Sequence, residues 1–523
     1  MSSRRIAVWS SMFAMLTMAS FEVAAQIVPA LPDSTLAAAL AAIPGTPLTL
    51  EDAVARASEG ATEIGTARAA LAAATASRRA EDGGFDPEVF ANFDKRIEDE
   101  ATASPFAGAD VLASDTRTTE VGARLHLLTG GDVKASIVTQ RSETNSRFAS
   151  LNPSYDSAGQ IEVTQPLLAG LGPAARSAQL AARQAESAAR TQYEAAEQVV
   201  QARVESTYWD LYAAERDLAV ERLIRDRAIA FLGLVERRAR VGIVGPYQVA
   251  NARAFLAQEE QLVIDREEEL DATSDRLATL LGARPPAGDA RWRSATEPPI
   301  SVALAPQDSV VAWALRRNHD LRAVEARVAA ARELARGGRR NALPRLDLVG
   351  SLGGNGLAGT GRDVVFGADT LRVNVKGNSF GDSWSQVLQR DFPTWSAGVR
   401  LSMPIGLRAS RAESDRLRAE VERAGFELES LRRGVEADVR ARHRELEHAD
   451  RRRQLARDGV AASLEQLRIV ELEYRAGRST AFEIVRLGTD LADANRRYSD
   501  ALVQAARAAA ELRRLTSGAF PQR

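Results

Sequence analysis

The chain of 523 residues contains no cysteine. That excludes a disulfide framework, a thiolate metal site, a cysteine nucleophile and an anchor of lipid on cysteine. Neither charge is in excess: 68 Lys and Arg stand against 70 Asp and Glu, with a pI near 6.3. A nucleic-acid polyanion is therefore not an expected partner. Histidine is scarce, with only His126, His319, His443 and His448. His443 and His448 are five apart, not the four that would set both on one metal-binding helix face. We expect His443 to make a solvated ion pair with Glu447. No Ser, His and acid grouping stands out, so we expect no catalytic site, no metal and no cofactor.

Long apolar runs are also missing. Past the N-terminal segment, nothing approaches the roughly 18 consecutive apolar residues of a spanning helix, so a membrane crossing would have to be a β-barrel. The N-terminal segment itself has Arg4 and Arg5, the apolar run IAVWSSMFAMLTMA, and Val23-Ala24-Ala25 before Gln26. This is the layout of a secretory signal peptide, expected over 1–25, with a mature chain that starts near Gln26 outside the cytoplasm.

The chain does contain internal repeats. Residues 48–90 align without a gap with 305–347 at an offset of 257, setting Val54 on Val311, Ile64 on Leu321 and Pro87 on Pro344. RVGIVGPYQV at 240–249 pairs with RAGRSTAFEI at 475–484, with Gly242 on Gly477, and Gln165-Pro166-Leu167 pairs with Met403-Pro404-Ile405. A unit of helix, strands, long helix, tight turn and helix thus occurs twice. The expected layout is an N-terminal arm 26–47, a first repeat 48–281, a linker 282–306, a second repeat 307–516 and a tail 517–523. The first repeat has strands within 87–167, a long helix 174–240, a tip turn 241–246 and a return helix 247–281. The second has strands within 345–405, a long helix 408–475, a tip turn 476–480 and a return helix 481–516. Each long helix, about 100 Å at 1.5 Å per residue, equals the two short helices of its repeat laid end to end: 48–80 with 247–281, and 308–340 with 481–516. The strands then lie at one pole and the glycine turns at the other.

Ala174, Ala178, Ala181, Ala185 and Ala188, then Ala195, Val199 and Ala202, alternate spacings of four and three. Ala175, Ala182, Ala189 and Ala196 add a stripe at seven, and Val421, Ala424, Leu428, Leu431 and Val435 carry a similar seam. Such periods mark coiled-coil packing. A two-stranded coiled coil or a spectrin-like bundle explains the seam equally well, but not the strands.

The candidate strands are 87–97, 118–128, 133–146, 160–167, 345–352 and 394–403, with a tight turn at 129–132 and long polar loops at 98–117 and 353–392. In 160–167, Ile161, Val163 and Leu167 point one way and Gln160, Glu162 and Thr164 the other. Weak alternation of this kind is the mark of an outer-membrane barrel strand. We expect the apolar set to face lipid. Neither half could close a barrel alone, so several chains would have to share one. GNGLAG at 354–359 matches the dinucleotide glycine pattern, but no helix follows it; we read it as an external loop. Gly242 and Gly477 are expected to end their helices in the left-handed conformation, with Pro246 and Ser479 suited to starting the next ones. The hairpin tips would then form an exposed rim.

The paired starts LTLEDAVARA and QDSVVAWALR, the junction VTQPLLAGLG and the tips RARVGIVGPYQVANAR and EYRAGRSTAFEIV occur in one order. On these residues the chain resembles the TolC-like outer-membrane efflux protein family over nearly all its mature length. The resemblance implies a mostly α, α+β membrane protein: a homotrimer whose outer-membrane β-barrel continues into a long periplasmic α-helical barrel, two structural repeats per chain. It implies a collar from the N-terminal arm, 283–306 and the tail, with outer-membrane lipid around the barrel. A periplasmic adaptor and an inner-membrane transporter are the implied partners.

The adaptor-docking stretch of the family looks like Val241, Gly242, Ile243 and Val244 here, and Ala476, Gly477, Arg478 and Ser479 in the second copy. Glu483 falls on the first acid of the family's entrance constriction, Arg486 replaces the second, and Gln248 replaces an acid after the first tip. Tyr474 matches a tyrosine of the closing hydrogen-bond network. These departures speak against a strongly anionic entrance; a ring of three Glu483 carboxylates paired with Arg486 is expected. Family members commonly give four strands per protomer, whereas six are read here, which poses 18 barrel strands per trimer against 12. The function implied is a passive exit duct for small molecules in a tripartite efflux system. The alternatives are a duct for type I protein secretion and a non-conducting coiled-coil scaffold.

Overall fold

Helices dominate the described residues, and six of their ten strands gather in one large sheet. The computed structural model describes residues 33–104, 107–286, 289, 291–299, 303–366, 369–371 and 377–519. The expected signal peptide, the start of the N-terminal arm and the end of the tail lie outside them. In chain order the elements are α1 (Asp33–Ala41), β1 (Thr46–Leu48), α2 (Leu50–Gly60), α3 (Thr62–Gly83), β2 (Glu88–Ala101), β3 (Val111–His126), β4 (Asp132–Thr144) and β5 (Leu151–Pro166). They continue with α4 (Ser177–Arg240), α5 (Pro246–Leu281), β6 (Trp292–Ser294), α6 (Gln307–Arg317), α7 (His319–Asn341), β7 (Arg345–Gly361), β8 (Val364–Phe366) and β9 (Asp369–Leu371). The last are α8 (Phe380–Gln389), β10 (Phe392–Ser402), α9 (Arg408–Glu447), α10 (Ala449–Arg475) and α11 (Ala481–Leu515). They divide into two units. One is Met1–Pro44, Ala214–Glu269 and Arg451–Ala501; the other is Gly45–Ala213, Leu270–Asp450 and Leu502–Arg523.

The second unit carries an antiparallel six-stranded sheet in the order β10-β7-β5-β4-β3-β2. Its register makes the two faces chemically distinct. One row crosses all six strands as Val89, Ala123, Ala135, Ile161, Leu352 and Trp395. The adjacent row, which points to the opposite face, is Glu88, Arg124, Lys134, Glu162, Ser351 and Ser396. The polar row is internally bonded: Arg124 Nη2 donates to Glu88 at 2.6 Å, and the Ser351 and Ser396 hydroxyls are 2.7 Å apart. Among the described residues, β2 and β10 each pair on one side only, leaving both edges of the sheet open.

The strands run further than the sequence suggests. β2 runs on to Ala101 and β3 starts at Val111, so the connection between them shrinks to 102–110. Among the described residues, much of the 353–392 stretch is also strand or helix. GNGLAG lies inside β7, and α8 follows, lying over β7 and β5. Glycine is needed there: a Cβ on Gly356 would sit 2.0 Å from the Ser383 carbonyl oxygen, and one on Gly159 would sit 3.0 Å from Val387. β10 begins at Phe392, opposite Asn355, so among the described residues no strand pairs with Leu357 on that side. The Gln386 side chain takes the missing strand's place, accepting from Leu357 N and donating to Leu357 O at 3.0 Å each.

The helices depart from the expected spans at defined points. The helix expected from Leu48 to Ala80 breaks at Ala61 (φ −69°, ψ 126°), and the one from Asp308 to Arg340 breaks at Asn318 (φ −54°, ψ 124°). The two breaks are 257 residues apart, the offset of the sequence repeat. Asn318 restarts its helix by accepting from Leu321 N at 2.9 Å. The helix expected over 408–475 is interrupted at His448. Of the seam that alternates spacings of four and three, Ala174 just before α4 and Ala181, Ala188, Ala195 and Ala202 within it are buried, whereas Ala178 and Ala185 are exposed; the stripe at seven, Ala175, Ala182, Ala189 and Ala196, is half-buried. His443 is not a solvated ion pair: it is buried against the Val310, Val435 and Val439 cluster, with Nε2 3.0 Å from the Ala305 carbonyl and Glu447 4.0 Å away.

β1 and β6 pair in parallel, joining the N-terminal arm to the linker. Buried Tyr208 fastens both, donating to Leu48 O at 2.9 Å and accepting from Ala295 N and Thr296 N. The tail folds onto α6, where Trp313 Nε1 donates to Ala519 O at 2.8 Å.

Candidate functional site: the paired hairpin tips

The first unit contains both tips. α4 ends and α5 begins at the first; α10 ends and α11 begins at the second. At the first, Gly242 N donates to Ala239 O and Ile243 N to Arg238 O, both at 3.0 Å. At the second, Gly477 N donates to Tyr474 O at 3.0 Å and Arg478 N to Glu473 O at 2.9 Å. These are the two bonds of a Schellman cap, which closes a helix by turning one residue left-handed. Gly242 and Gly477 share φ +76°. Pro246 then opens α5 from a position where no amide donor is needed.

Arg238 joins the tips. From the last turn of α4 it donates to Tyr474 O at 2.7 Å and Arg475 O at 2.5 Å, and its guanidinium lies 4.9 Å from the Tyr474 ring centroid. A cation at the C-terminus of α10 also complements the helix dipole. Sequence reasoning missed Arg238; the only signal was a basic last turn, shared with Arg237 and Arg240. Tyr474 is buried, 5.5 Å from the Phe231 ring, and its hydroxyl makes no hydrogen bond among the described residues. A cavity of about 820 Å³ beside it is lined by Phe231, Leu467 and Ile484, with Arg227, Arg237 and Arg468 at its polar side.

The expected docking residues divide by exposure. Val241 and Ile243 are 69% and 68% exposed, and Tyr247 and Phe482 add to this apolar rim, whereas Val244 packs on the unit's core. Ala476, Gly477 and Arg478 are exposed, while Ser479 is half-buried. Glu483 and Arg486 are exposed and Gln248 half-buried. The Glu483 carboxylate turns back onto the start of α11, accepting from the Ser479 hydroxyl and, at 3.4 Å, from Thr480 N. Thr480 Oγ1 accepts in return from Glu483 N at 3.4 Å, which completes a capping box. The Ser479 hydroxyl, then Thr480 N, then Arg486 hold the Glu483 carboxyl below the usual glutamate range. In the other unit, Ile161 and Val163 share the apolar face of the sheet. Leu167, 41% exposed, falls one residue past the end of β5 but still donates to Leu346 O at 2.7 Å.

The family model of outer membrane efflux proteins matches residues 132–283 and 310–518. The chain belongs to the outer membrane efflux protein family. This efflux protein is 27% identical to the pyoverdine export outer membrane protein OpmQ of Pseudomonas putida over 292 residues, 54% of each chain. It is 28% identical to the fusaric acid resistance protein FusA of Burkholderia cepacia over 248 residues, 46% of this chain and 40% of that one. The chain thus spans about half the length of the curated relatives it matches. Among solved structures, the outer-membrane channel OprN matches with a TM-score of 0.66 at 19% identity over 90% of both chains. The CmeC outer membrane channel of Campylobacter jejuni matches with a TM-score of 0.62 at 14% identity, over 90% of this chain and 86% of that one. The likeness to these channels is one of fold. The TolC-like membership that the repeated junctions and tips suggested therefore holds for the efflux protein. Among its described residues no group of three or more His, Cys, Asp or Glu could hold a metal ion, and no helix is long and apolar enough to cross a membrane.

Proposed function

We propose that this efflux protein is the outer-membrane exit duct of a tripartite system, a passive homotrimeric channel for small molecules. The observation that carries the reading is the open, two-faced sheet. Six strands are fewer than the roughly eight of the smallest barrels, and β2 and β10 offer unpaired edges at its two ends. Open edges with exposed Val89, Phe93 and Trp395 invite pairing with another copy. Three copies joined edge to edge would make a barrel of about 18 strands, a size that leaves an aqueous lumen, with the apolar rows toward lipid and the polar rows toward water. The chain would then lie in the outer membrane and extend into the periplasm. The tips, the collar of β1, β6 and tail, and the helices of the two repeats would belong to the periplasmic duct. Small-molecule export is favoured over protein secretion because both relatives are named for small molecules, pyoverdine and fusaric acid. An adaptor at the apolar tip rim and an inner-membrane transporter would complete the system and supply the energy.

Outer-membrane fractionation and planar-bilayer recording test this. A steady single-channel conductance from trimers is expected, whereas trimers without conductance would support the non-conducting scaffold instead.

A further inference from the structure

One row on the apolar face of the sheet breaks the pattern. Lys95, Arg117 and Arg141 stand directly opposite one another on β2, β3 and β4. Like charges in register on neighbouring strands repel. Among the described residues two anions answer them from the next row: Asp115 lies 3.1 Å from Arg117 and 3.7 Å from Lys95, and Glu143 bonds Arg141. One positive charge remains, and the side chains of Lys95 and Arg117 are each 43% exposed.

The height of this row is informative. On β3 the same face runs Leu125, Ala123, Val121, Thr119, Arg117, a rise of about 27 Å along the strand. At the strand tilt of about 35–45° in such barrels this is roughly 19–22 Å of height, most of the roughly 25 Å apolar band of an outer-membrane barrel. The cations therefore mark the band's boundary on the side away from the helices, where the connections other than the tight turn between β3 and β4 lie. Below them is a groove of about 680 Å³, floored by Phe93, Val121 and Ile137 and walled by Phe380 and Trp384 of α8, with Arg117 and Arg141 at its head. α8 itself is turned outward: it buries Ser383 and Gln386 on the sheet, with Ser383 Oγ 2.8 Å from Ser157 Oγ, and leaves Phe380 and Leu388 50% and 78% exposed. Trp384 Nε1 donates to Thr139 Oγ1 at 3.1 Å, which fixes the wall of the groove.

We propose that this face holds a specific lipid: an acyl chain lies in the groove beneath α8, and the lipid's phosphate headgroup is bound by Lys95, Arg117 and Arg141. Arginine suits phosphate because its planar fork can donate two parallel bonds. The phosphate also supplies the counter-charge that the row lacks. The proposal rests on the barrel reading, since only there does this face meet lipid.

The test is native mass spectrometry of the purified full-length trimer, loaded with phosphatidic acid or with phosphatidylcholine of the same saturated chains. Wild type should retain phosphatidic acid selectively, Arg117→Gln/Arg141→Gln should retain at least tenfold less, and Arg117→Lys/Arg141→Lys should keep most of it. Removing like charges relieves repulsion, so unfolding is not the expected cause of the loss. Equal retention of the two lipids by wild type, or undiminished retention by the glutamine variant, would overturn the site. Flotation with vesicles separates the two levels. A trimer that inserts but shows no phosphate preference sinks the site alone, while one that associates with neither lipid sinks the barrel reading.

Discussion

Arg238 holds the carbonyl of Tyr474 at 2.7 Å while its guanidinium faces the Tyr474 ring. The bond joins the end of one long helix to the end of the other, and it uses the backbone of Tyr474 rather than its hydroxyl. A charge-assisted bond alone contributes about 1.5–3 kcal/mol, and the second bond and the cation–π contact add to it. Arg238→Ala should therefore speed hydrogen exchange at the Gly477 and Arg478 amides by roughly 10- to 100-fold. Tyr474→Phe should change stability by less than about 0.5 kcal/mol, since no bond is lost with the hydroxyl. A large effect of Tyr474→Phe would show that the hydroxyl takes part in a bond between protomers.

Glu483 has two candidate roles that one substitution would confound. As the third residue of a capping box it stabilises the start of α11, and as a charge at the duct entrance it would attract cations. Glu483→Ala removes both and should cost about 1 kcal/mol of local stability. Glu483→Gln keeps the cap and removes only the charge. We expect Glu483→Gln to weaken divalent-cation block in bilayer recordings with an unchanged melting curve. Unaltered block would place the constriction at other residues.

Docking is best probed beside the glycines and not at them. Gly242 sits at φ +76°, so any side chain there strains the turn. Ile243 is exposed and carries no such constraint. Ile243→Asp should cut crosslinking to a periplasmic adaptor at least tenfold while trimers stay intact. Full crosslinking would remove the first tip from the docking surface.

Much of this architecture was legible because single residues force it. The caps at Gly242 and Gly477 need a left-handed residue, and the repeat identified both. The first long helix announces itself by alanine periodicity. Ala61 gives no sign of a break: no side-chain cap or proline is present, and the break sits beside a close backbone approach, where a Cβ on Gly282 would lie 2.8 Å from Gly60 O. The burial of His443 is not legible from its neighbours, because its partner is a carbonyl 138 residues away. Arg238 was missed for the same reason. α8 did carry a signal, the Ser379–Asp382 capping box, which a glycine-rich neighbourhood obscured.

The helical unit buries acid. Glu259 and Glu221 are each 1% exposed, and Glu221 is paired with Arg496 at 3.1 Å. Burial, reinforced by the neighbouring Glu221, pushes the Glu259 carboxyl up to about 8, and burial pushes Asp217 up to about 6. A carboxyl whose folded pKa is raised stabilises the fold below its unfolded pKa and loses that contribution as pH climbs through the folded one. The melting temperature should therefore fall between about pH 4.5 and 8. Glu259→Gln fixes the neutral form and should flatten that decline, raising the melting temperature at pH 8 relative to wild type. An equal decline in the variant would assign the titration to other groups.

Two glycines in this chain should fail for opposite reasons when changed to alanine. Gly242→Ala meets nothing within 4 Å, so its cost is the left-handed backbone alone, about 1–2 kcal/mol, and the tip keeps its packing. Gly356 has no positive φ, but a Cβ there would meet the Ser383 carbonyl oxygen at 2.0 Å, and backbone cannot yield as a flexible side chain does. Gly356→Ala should therefore lift α8 from the sheet, breaking the Gln386 bonds to Leu357 and the Trp384 bond to Thr139. Limited proteolysis should then cleave within 380–389 in Gly356→Ala but not in Gly242→Ala, and the Trp384 emission should shift only in the former. Protection of α8 in both variants would mean that the helix does not depend on close contact with β7.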